Sequence, residues 1–351
     1  MIHASCKWRS KSAFRSGLPG LTRRVFLASA VAPVVRAEKP EISGFDLSLL
    51  DQPATPNDLF FVREHFPTPN VTAAGWAVAV KGAVAAPHKI GLDELASRPG
   101  KSLGVTLECA ENPAGGGLVS HAEWTGISLA SVLQAARPAA EAGAVRLTGA
   151  DGFSRVIPLA KAVSPDTLLA LTMNGEKLPV NHGFPVRALI PGWYGMDSVK
   201  WLDSIEVLAG AAPSQDYARE VVSLLAGRRR GEPVSVMNVK STFSRPMDGA
   251  ILFGRRFILR GAAWAGENRV RRVEVSIDGG KSWQPARLES EPKPYAWVGW
   301  SHEWKISGPG THELAVTATD DQGRQQPAER PSNRADDYEW NQRQVIQVTV
   351  T

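Results

Sequence analysis

Short apolar runs separated by charged and glycine-rich breaks fill the first two thirds of the chain. Where apolar residues alternate with polar ones, or form a run bounded by turn residues, the pattern predicts a strand. Where they recur at helical spacing and stop before proline, it predicts a short helix. Strands are predicted at residues 75–84, 101–108 and 145–148, and helices at residues 92–98 and 128–137.

A hairpin signal follows these elements. Residues 167–173 and 177–180 are strand-like, and they flank Asn174 and Gly175, the residue pair that a type I′ turn favours. Strands and helices therefore mix without the strict alternation of a doubly wound fold. We predict that this part is an α+β domain.

The last third of the chain has a different pattern. Short alternating segments are broken by turn signals roughly every 8–12 residues, and four tryptophans are spaced as residues of strand faces. This pattern predicts an immunoglobulin-like β-sandwich. The predicted organisation is an α+β domain at residues 38–210, a connection at residues 211–233 and the sandwich at residues 234–351.

The first 37 residues have the pattern of an export signal. They hold seven cations and no acidic residue, and Arg23 and Arg24 form a twin-arginine pair beside an apolar stretch at residues 25–35. A basic region, a short apolar core and a small residue at Ala37 are typical of a signal peptide. An amphipathic N-terminal helix is the alternative. We predict export to the periplasm by the twin-arginine route, which carries folded and often cofactor-loaded proteins.

The charge balance changes once this leader is set aside. The whole chain has a formal net charge of +5, but the part after residue 37 has −2. A basic surface for nucleic acid therefore has no support. No uncharged apolar run reaches the roughly 18 residues of a transmembrane helix. We predict neither a nucleic-acid partner nor a membrane span.

One thiol is expected to remain after export. Cys6 lies in the predicted leader, whereas Cys109 follows a predicted strand and precedes a loop with three glycines at residues 115–117. The mature chain would then have no internal disulfide, and a lone thiol in an oxidising compartment is usually buried or bonded. Cys109 is either an inert core residue or a functional one, and we favour a metal ligand.

Cys109 could also be a catalytic nucleophile, a zinc ligand or part of a heme-attachment motif. A thiol hydrolase would need a histidine base, for which His65, His121 and His182 are candidates. Structural zinc would need close Cys/His pairs, and a nucleotide site would need a GxGxxG turn; neither pattern occurs. The C-x-x-C-H motif is also absent, so we predict no heme in this chain.

The best match is one thiolate on a metal whose other ligands come from an organic cofactor with a phosphate tail. Such a tail needs cations and main-chain donors from several loops. His182, Arg187 and Lys200 lie in two glycine-bracketed loops and could supply them.

Several segments resemble the sulfite oxidase family of molybdenum enzymes, in the family's order. Residues 61–67 resemble its F-x-R-N-H-x-P loop, and residues 107–112 its C-A-G-N cysteine loop. Residues 182–202 are similar to its H-G-F-P-V-R and V-K-W-L segment, the most specific match. Residues 271–283, with the segment 275–280 inside them, resemble the V-S-x-D-G-G-x-W pattern of its C-terminal dimerisation domain. The resemblance covers roughly residues 45–351 and implies a molybdopterin domain, a dimerisation-type β-sandwich and a molybdenum-molybdopterin cofactor.

The resemblance also implies roles for individual residues. Cys109 would be the thiolate ligand of molybdenum, for which a soft donor is suitable. Arg63 would bind the anionic substrate, with Tyr217 and Trp124 in the same catalytic pocket. The residues expected to hold the pterin and its phosphate are Arg63, His65, Asp151, His182, Arg187, Ser198 and Lys200.

Three residues depart from the family pattern beside the cysteine. Glu111 stands in place of the usual glycine, and Pro113 and Ala114 stand in place of arginines that often follow. The loss of one cation should weaken the binding of a dianion by about 1–3 kcal/mol. Either another cation compensates for this loss, or the substrate is not sulfite.

The resemblance implies a periplasmic enzyme that oxidises sulfite, or a related sulfur compound, to sulfate. Its electrons would pass to a separate cytochrome c, and the protein would be a homodimer or a heterodimer with a cytochrome subunit. One alternative keeps the cofactor and reduces sulfoxides or other oxyanions. The other is a non-enzymatic β-sandwich binding protein.

Overall fold

A computed structural model describes residues 41–50, 52–212, 217–223 and 227–351, with only the backbone at residues 227 and 228. The predicted leader, residues 1–37, lies outside the described residues. The described residues all belong to one compact unit. Within the described part of the chain, no helix has the length and apolar character needed to cross a bilayer.

Two five-stranded sheets form the N-terminal part. One has the order β10-β9-β6-β5, with β11 also on β9, and all its pairs are antiparallel. The other has the order β4-β3-β12-β7-β8, in which only β3 and β12 are parallel. The strands are β1 (Ile42–Ser43), β2 (Val62–Arg63), β3 (Ala77–Gly82), β4 (His88–Gly91), β5 (Lys101–Glu108), β6 (Val119–Ser128), β7 (Ala142–Gly149), β8 (Ser154–Pro158), β9 (Leu168–Met173), β10 (Glu176–Lys177), β11 (Arg187–Leu189) and β12 (Leu202–Ala209).

Helices are few and short in this part. The longest, α2, begins after Ser128 as predicted and buries its apolar face against both sheets in one core. The predicted α+β class therefore holds only loosely, because strands supply most of the regular structure. The helices are α1 (Leu92–Ser97), α2 (Leu129–Ala136) and α3 (Leu159–Ala162), with 3-10 turns at Leu47–Leu49, Val180–His182 and Gly195–Asp197.

The predicted hairpin turn is confirmed. Asn174 and Gly175 have φ values of 51° and 79°, the left-handed conformation that a type I′ turn requires at both positions. The Asn174 amide also donates to the carbonyl of Thr55 at 2.9 Å and to Asn57 Oδ1 at 2.9 Å. The turn therefore fixes a loop that leads toward the site described below.

A β-sandwich forms most of the C-terminal part. Its sheets have the orders β15-β17-β21-β20 and β16-β23-β22-β18-β19, and side chains from both enclose one apolar core. The immunoglobulin type of this sandwich stays a prediction. The strands are β13 (Ala218–Ser223), β14 (Gly227–Pro233), β15 (Lys240–Arg245), β16 (Ile251–Leu252), β17 (Arg256–Trp264), β18 (Val270–Ser276), β19 (Gln284–Pro285), β20 (Arg287–Leu288), β21 (Val298–Lys305), β22 (Gly310–Asp320) and β23 (Gln344–Val350).

The segment expected as a connection contains an antiparallel hairpin of β13 and β14. Residues 213–216 and 224–226 of this segment lie outside the described residues. The domain boundaries at residues 210 and 234 stay predictions.

The two parts share a core. Trp300 and Trp304 lie inside the sandwich as predicted, but Trp297 packs with the first sheet of the N-terminal part, together with Trp264. Since an apolar cluster crosses from one part to the other, the sandwich also covers the back of the sheet that carries β5.

A buried ion pair joins the same two parts. Glu108, at the end of β5, accepts hydrogen bonds from Lys240 Nζ at 2.7 Å, Asn112 Nδ2 at 3.0 Å and Trp264 Nε1 at 2.8 Å. The side chains of Glu108 and Lys240 are 2% and 3% exposed. A buried carboxylate is costly unless its oxygens are paired, and here both are.

Replacing Lys240 with Ala should lower the free energy of unfolding by about 3–5 kcal/mol, because it leaves Glu108 buried and uncompensated. Urea unfolding followed by tryptophan fluorescence measures this loss. The matched control is Arg98→Ala, which breaks the surface pair with Glu94 and should cost less than about 1 kcal/mol. Equal losses in the two variants would contradict the importance of the buried pair.

Candidate active site

A cleft opens where the loops of the N-terminal part meet one loop of the C-terminal part, and it contains about 780 Å³ of empty space when the solvent at its mouth is included. It collects most of the residues singled out from the sequence. Its lining is Phe60, Phe61, Arg63, Glu64, His65, Cys109, Ala110, Glu111, Asp151, Phe153, His182, Arg187, Gly195, Met196, Ser198, Val199, Lys200, Trp201, Tyr217 and Tyr338.

Cys109 stands at the first position of a tight turn after β5. The N–H of Asn112 donates to the carbonyl of Cys109 at 2.9 Å, and the N–H of Cys109 donates to the carbonyl of Leu118 at 2.9 Å. Asn112 Oδ1 accepts from the Leu118 N–H at 2.9 Å. Gly116 leaves room for this amide, because a Cβ at that position would lie 2.5 Å from Asn112 Oδ1. The turn therefore holds the thiol in a fixed position.

The C-terminal part holds the same turn from the other side. The N–H of Glu339 donates to the carbonyl of Ala110 at 2.7 Å, and Lys240 Nζ donates to the carbonyl of Asn112 at 2.8 Å. Tyr338, next to Glu339, lines the cleft close enough to Glu111 for its charge to raise the pKa of the tyrosine. The cysteine end of the cleft is thus built by both parts of the molecule.

Burial governs the protonation of the Cys109 thiol. It raises the pKa to about 11, with a smaller opposing effect of the Glu111 main chain. A thiol nucleophile needs the opposite shift, so the hydrolase alternative loses its support. A bound metal ion reverses this balance, because its charge favours the thiolate. The environment of Cys109 suits a metal ligand.

Arg63 reaches the cysteine end from β2. Its Nη1 donates to the carbonyl of Glu64 at 2.6 Å, and its Nη2 donates to Glu111 Oε2 at 3.3 Å. The substrate-binding arginine expected from the sequence is therefore present, and it faces the acidic residue that departs from the family pattern.

The opposite end of the cleft is cationic. Arg187 is buried and donates to the carbonyls of Ser198 at 3.1 Å and His182 at 3.3 Å. Lys200 Nζ donates to Glu64 Oε1 at 3.0 Å and to the carbonyl of Asn181 at 2.7 Å. Gly183 allows the two loops to meet, because a Cβ there would lie 3.1 Å from Arg187 Cβ and 3.2 Å from Lys200 Cα.

Both histidines of the cleft are neutral near pH 7. Burial, then the charges of Arg63, Arg155 and Lys200, lowers the pKa of His65 to about 4. Its ring stacks on Phe153 with centroids 4.4 Å apart. Burial, then the charge of Arg187, lowers the pKa of His182 to about 3, and its Nε2 donates to the carbonyl of Asn57 at 2.9 Å.

His121 lies elsewhere. It hydrogen-bonds to Thr106 at 3.0 Å and stacks on Trp297 in the core. The cleft therefore excludes one of the three histidines considered from the sequence.

Tyr217 and Asp151 line the cleft as expected. Tyr217 meets the ring of His65 edge-on at 5.5 Å and lies 5.2 Å from the guanidinium of Arg155. Its φ of 60°, like the 50° of Trp201, is rare for a large side chain. Such conformations concentrate at functional sites, where the surrounding structure enforces them.

Trp124 does not line the cleft. It is fully buried, and the guanidinium of Arg187 lies 5.2 Å from its ring centroid. It packs against a cleft residue from the core side, because its side chain lies in the apolar cluster that the first sheet shares with Trp264 and Trp297. Trp201 occupies the wall instead, and its Nε1 donates to the carbonyl of Val180 at 2.7 Å.

The sequence patterns did not assign a role to two polar residues of the cleft. Glu64 is buried and pairs with Lys200, although its place beside Arg63 in the loop of residues 61–67 could have indicated it. Tyr338 comes from the C-terminal part, and no local pattern connects it with a cysteine more than 200 residues away.

Comparisons with known proteins show which family this chain resembles. The family model described as "Oxidoreductase molybdopterin binding domain" matches residues 65–216, and the "Mo-co oxidoreductase dimerisation domain" matches residues 232–346. Sulfite oxidase of Gallus gallus is 33% identical over 311 residues, which cover 78% of this chain and 68% of that protein. The chain belongs to the sulfite oxidase family.

Other relatives of this family are longer. Mitochondrial sulfite oxidase of Mus musculus is 33% identical over 317 residues, and the match covers 78% of this chain but 57% of that protein. The nitrate reductase of Cichorium intybus is 31% identical over 327 residues, which cover 78% of this chain and 36% of that protein. The chain thus spans little more than half the length of the Mus musculus sulfite oxidase and about a third of the length of the nitrate reductase.

A solved structure has the same fold. The sulfane dehydrogenase SoxCD from Paracoccus pantotrophus superposes with a TM-score of 0.79 at 24% identity, over 90% of this chain and 86% of that chain. The sulfite oxidase family is one of molybdopterin-dependent oxidoreductases, so the non-enzymatic alternative loses its support.

The cleft fits the family's molybdenum-molybdopterin cofactor. A single thiol lies at one end, and the other end offers cations with donors to spare. Arg187 Nη2 and one hydrogen of Lys200 Nζ have no partner among the described residues. Phosphate groups bind such donors strongly. The residues that would hold the cofactor are His65, Asp151, His182, Arg187, Ser198 and Lys200, with Cys109 on the metal.

The raised pKa of Cys109 predicts slow alkylation of the cofactor-free protein. Only the thiolate reacts, so the rate should rise with pH through a midpoint of about 11. Iodoacetamide labelling of a Cys6→Ser variant, in which Cys109 is the sole thiol, measures this profile after expression without molybdate. A midpoint at the ordinary cysteine value of about 8.5 would contradict the buried environment.

Proposed function

We propose that this protein is an exported molybdenum oxidoreductase that oxidises a small sulfur compound, with sulfite as the first candidate. Electrons leave one at a time to a separate cytochrome c. The observation that carries the proposal is the shared position of Cys109 and Arg63 at one end of a cleft whose other end is cationic. The names of the sulfite oxidase and sulfane dehydrogenase relatives support a sulfur substrate.

The side chains around Cys109 would bind and orient that substrate. When bound, the cofactor supplies two-electron oxygen-atom transfer. Arg63 offers its guanidinium to a substrate oxygen, and Tyr217 stands beside His65 on the same side of the cleft. Burial, then the charge of Glu111, raises the pKa of Tyr338 to about 12, so its hydroxyl stays protonated and can donate a hydrogen bond.

The cofactor end would keep its charges fixed throughout the reaction. Neutral His182 holds one tautomer, since its Nε2–H donates to the carbonyl of Asn57. Lys200 is anchored to Glu64, and Arg187 is anchored to two carbonyls. Groups held this firmly would orient the pterin and its phosphate without reorganisation.

Location and assembly are part of the proposal. The twin-arginine pattern at residues 22–27 supports export to the periplasm, where a cytochrome c could accept electrons. The match to a dimerisation domain at residues 232–346 supports a homodimer, or a heterodimer with a cytochrome subunit, through an immunoglobulin-like sandwich.

A reductase of sulfoxides or other oxyanions is the second candidate. One observation favours it. Glu111 forms an ion pair with Arg63, the residue that would otherwise bind an anionic substrate. The nitrate reductase relatives are named for a reduction.

Analysis of the purified protein tests the proposal. We expect about one molybdenum and one pterin per chain, reduction of cytochrome c on addition of sulfite or a related sulfur compound, and loss of this activity in Cys109→Ser. Reduction of methionine sulfoxide by a viologen donor, without any oxidation of sulfur compounds, would select the second candidate. An active protein without molybdenum would refute both.

A further inference from the structure

Arg63 is the cation expected to bind the substrate, and its guanidinium already makes two hydrogen bonds. One nitrogen donates to the Glu64 carbonyl at 2.6 Å, and the other donates to the Glu111 carboxylate at 3.3 Å. The Arg63 side chain is 23% exposed and that of Glu111 is 38% exposed. A free anion that approaches Arg63 must therefore displace or pass a carboxylate that lines the same cleft.

The other guanidinium groups near the cysteine end are paired as well. Arg155, behind Tyr217, donates to Asp197 at 2.7 Å, and both side chains are buried. Arg330 and Arg334, beside Tyr338, bind Asp336 at 3.1 and 2.7 Å. These guanidinium groups are all paired with acidic side chains, so none of them compensates for the arginines absent at Pro113 and Ala114.

The charges of the cleft lining balance. Three cationic side chains face it, and so do three acidic ones, while His65 and His182 are neutral. The charged lining residues are Arg63, Arg187 and Lys200 against Glu64, Glu111 and Asp151. A cofactor phosphate at the Arg187 end would make the loaded cleft negative. A second dianion in the same cleft would then be repelled.

We propose that Glu111 is a specificity-determining residue that holds Arg63 and selects sulfur substrates carrying at most one negative charge. This inference rests on the proposed function and names the charge class of its substrate. Glu111 acts in two ways: it competes for the guanidinium, and its own charge repels a dianion about twice as strongly as a monoanion. An uncharged compound feels neither effect.

Three tetrahedral compounds of hexavalent sulfur separate the effect of charge from the effect of shape. Sulfate is a dianion, methanesulfonate is a monoanion and dimethyl sulfone is neutral. Their dissociation constants can be measured by calorimetry on the cofactor-loaded protein, so the readout does not depend on turnover. In Glu111→Gln, sulfate should bind about tenfold more tightly and methanesulfonate about threefold, whereas the binding of dimethyl sulfone should not change.

Two further variants show whether Glu111 changes sulfate binding through Arg63. Glu94→Gln breaks an Arg–Glu pair on the surface and should leave all three constants unchanged. In Arg63→Gln/Glu111→Gln, the increase in sulfate affinity should be at most half of that in Glu111→Gln, because the guanidinium that the single variant frees is absent. Molybdenum content and urea midpoint show whether each variant is loaded and folded.

The outcomes are distinguishable from a failure of the proposed function. If Glu111→Gln alters sulfate binding by less than about twofold, or alters the three compounds equally, the role of Glu111 is refuted even in an active enzyme. If the protein oxidises no sulfur compound, the proposed function fails, whatever the binding constants are.

Discussion

The carboxylate of Glu108 is the group on which the arrangement of this site depends. It is almost completely buried at the end of β5, one residue before the thiol, and it would be highly unfavourable there without partners. Lys240 and Trp264 from the C-terminal part, and Asn112 from the cysteine turn, satisfy both its oxygens. A displacement of the cysteine turn or of the sandwich would break the same set of bonds. The position of Cys109 is therefore tied to the join between the two parts.

Because of these bonds, the two ends of the cleft are built from different parts of the chain. The cationic end comes from loops within residues 181–200 and is stabilised locally by main-chain acceptors. The cysteine end needs both parts, because Glu339 holds the main chain of Ala110 and Tyr338 lines the same cleft as Glu111. The first end suits the retention of a phosphorylated cofactor, which is common to the family. Under the proposed function, the second end selects which substrate reaches Arg63, so we expect variation there to change the substrate and to preserve the cofactor site.

Local patterns predicted the elements, and they failed where distant segments meet. The strand Lys101–Glu108 and the turn at Asn174 were predictable because alternation and turn chemistry are local. Cys109 and the block of residues 182–202 were predictable because their spacing is specific to a family. The partners of Glu108 and Lys200 lie 132 and 136 residues away, and only the fold brings them together. Trp124 was misplaced for the same reason: a tryptophan beside a site in sequence can face the core, and its strand register decided that it does.

X-ray absorption spectroscopy at the molybdenum edge tests the central claim most directly. The claim is that Cys109 joins the protein to the metal in a cleft that both parts of the chain build. Loaded wild-type protein should show one more sulfur neighbour of molybdenum than loaded Cys109→Ser, with the pterin content unchanged. Identical sulfur coordination in the two proteins would contradict the assignment of Cys109 as the metal ligand.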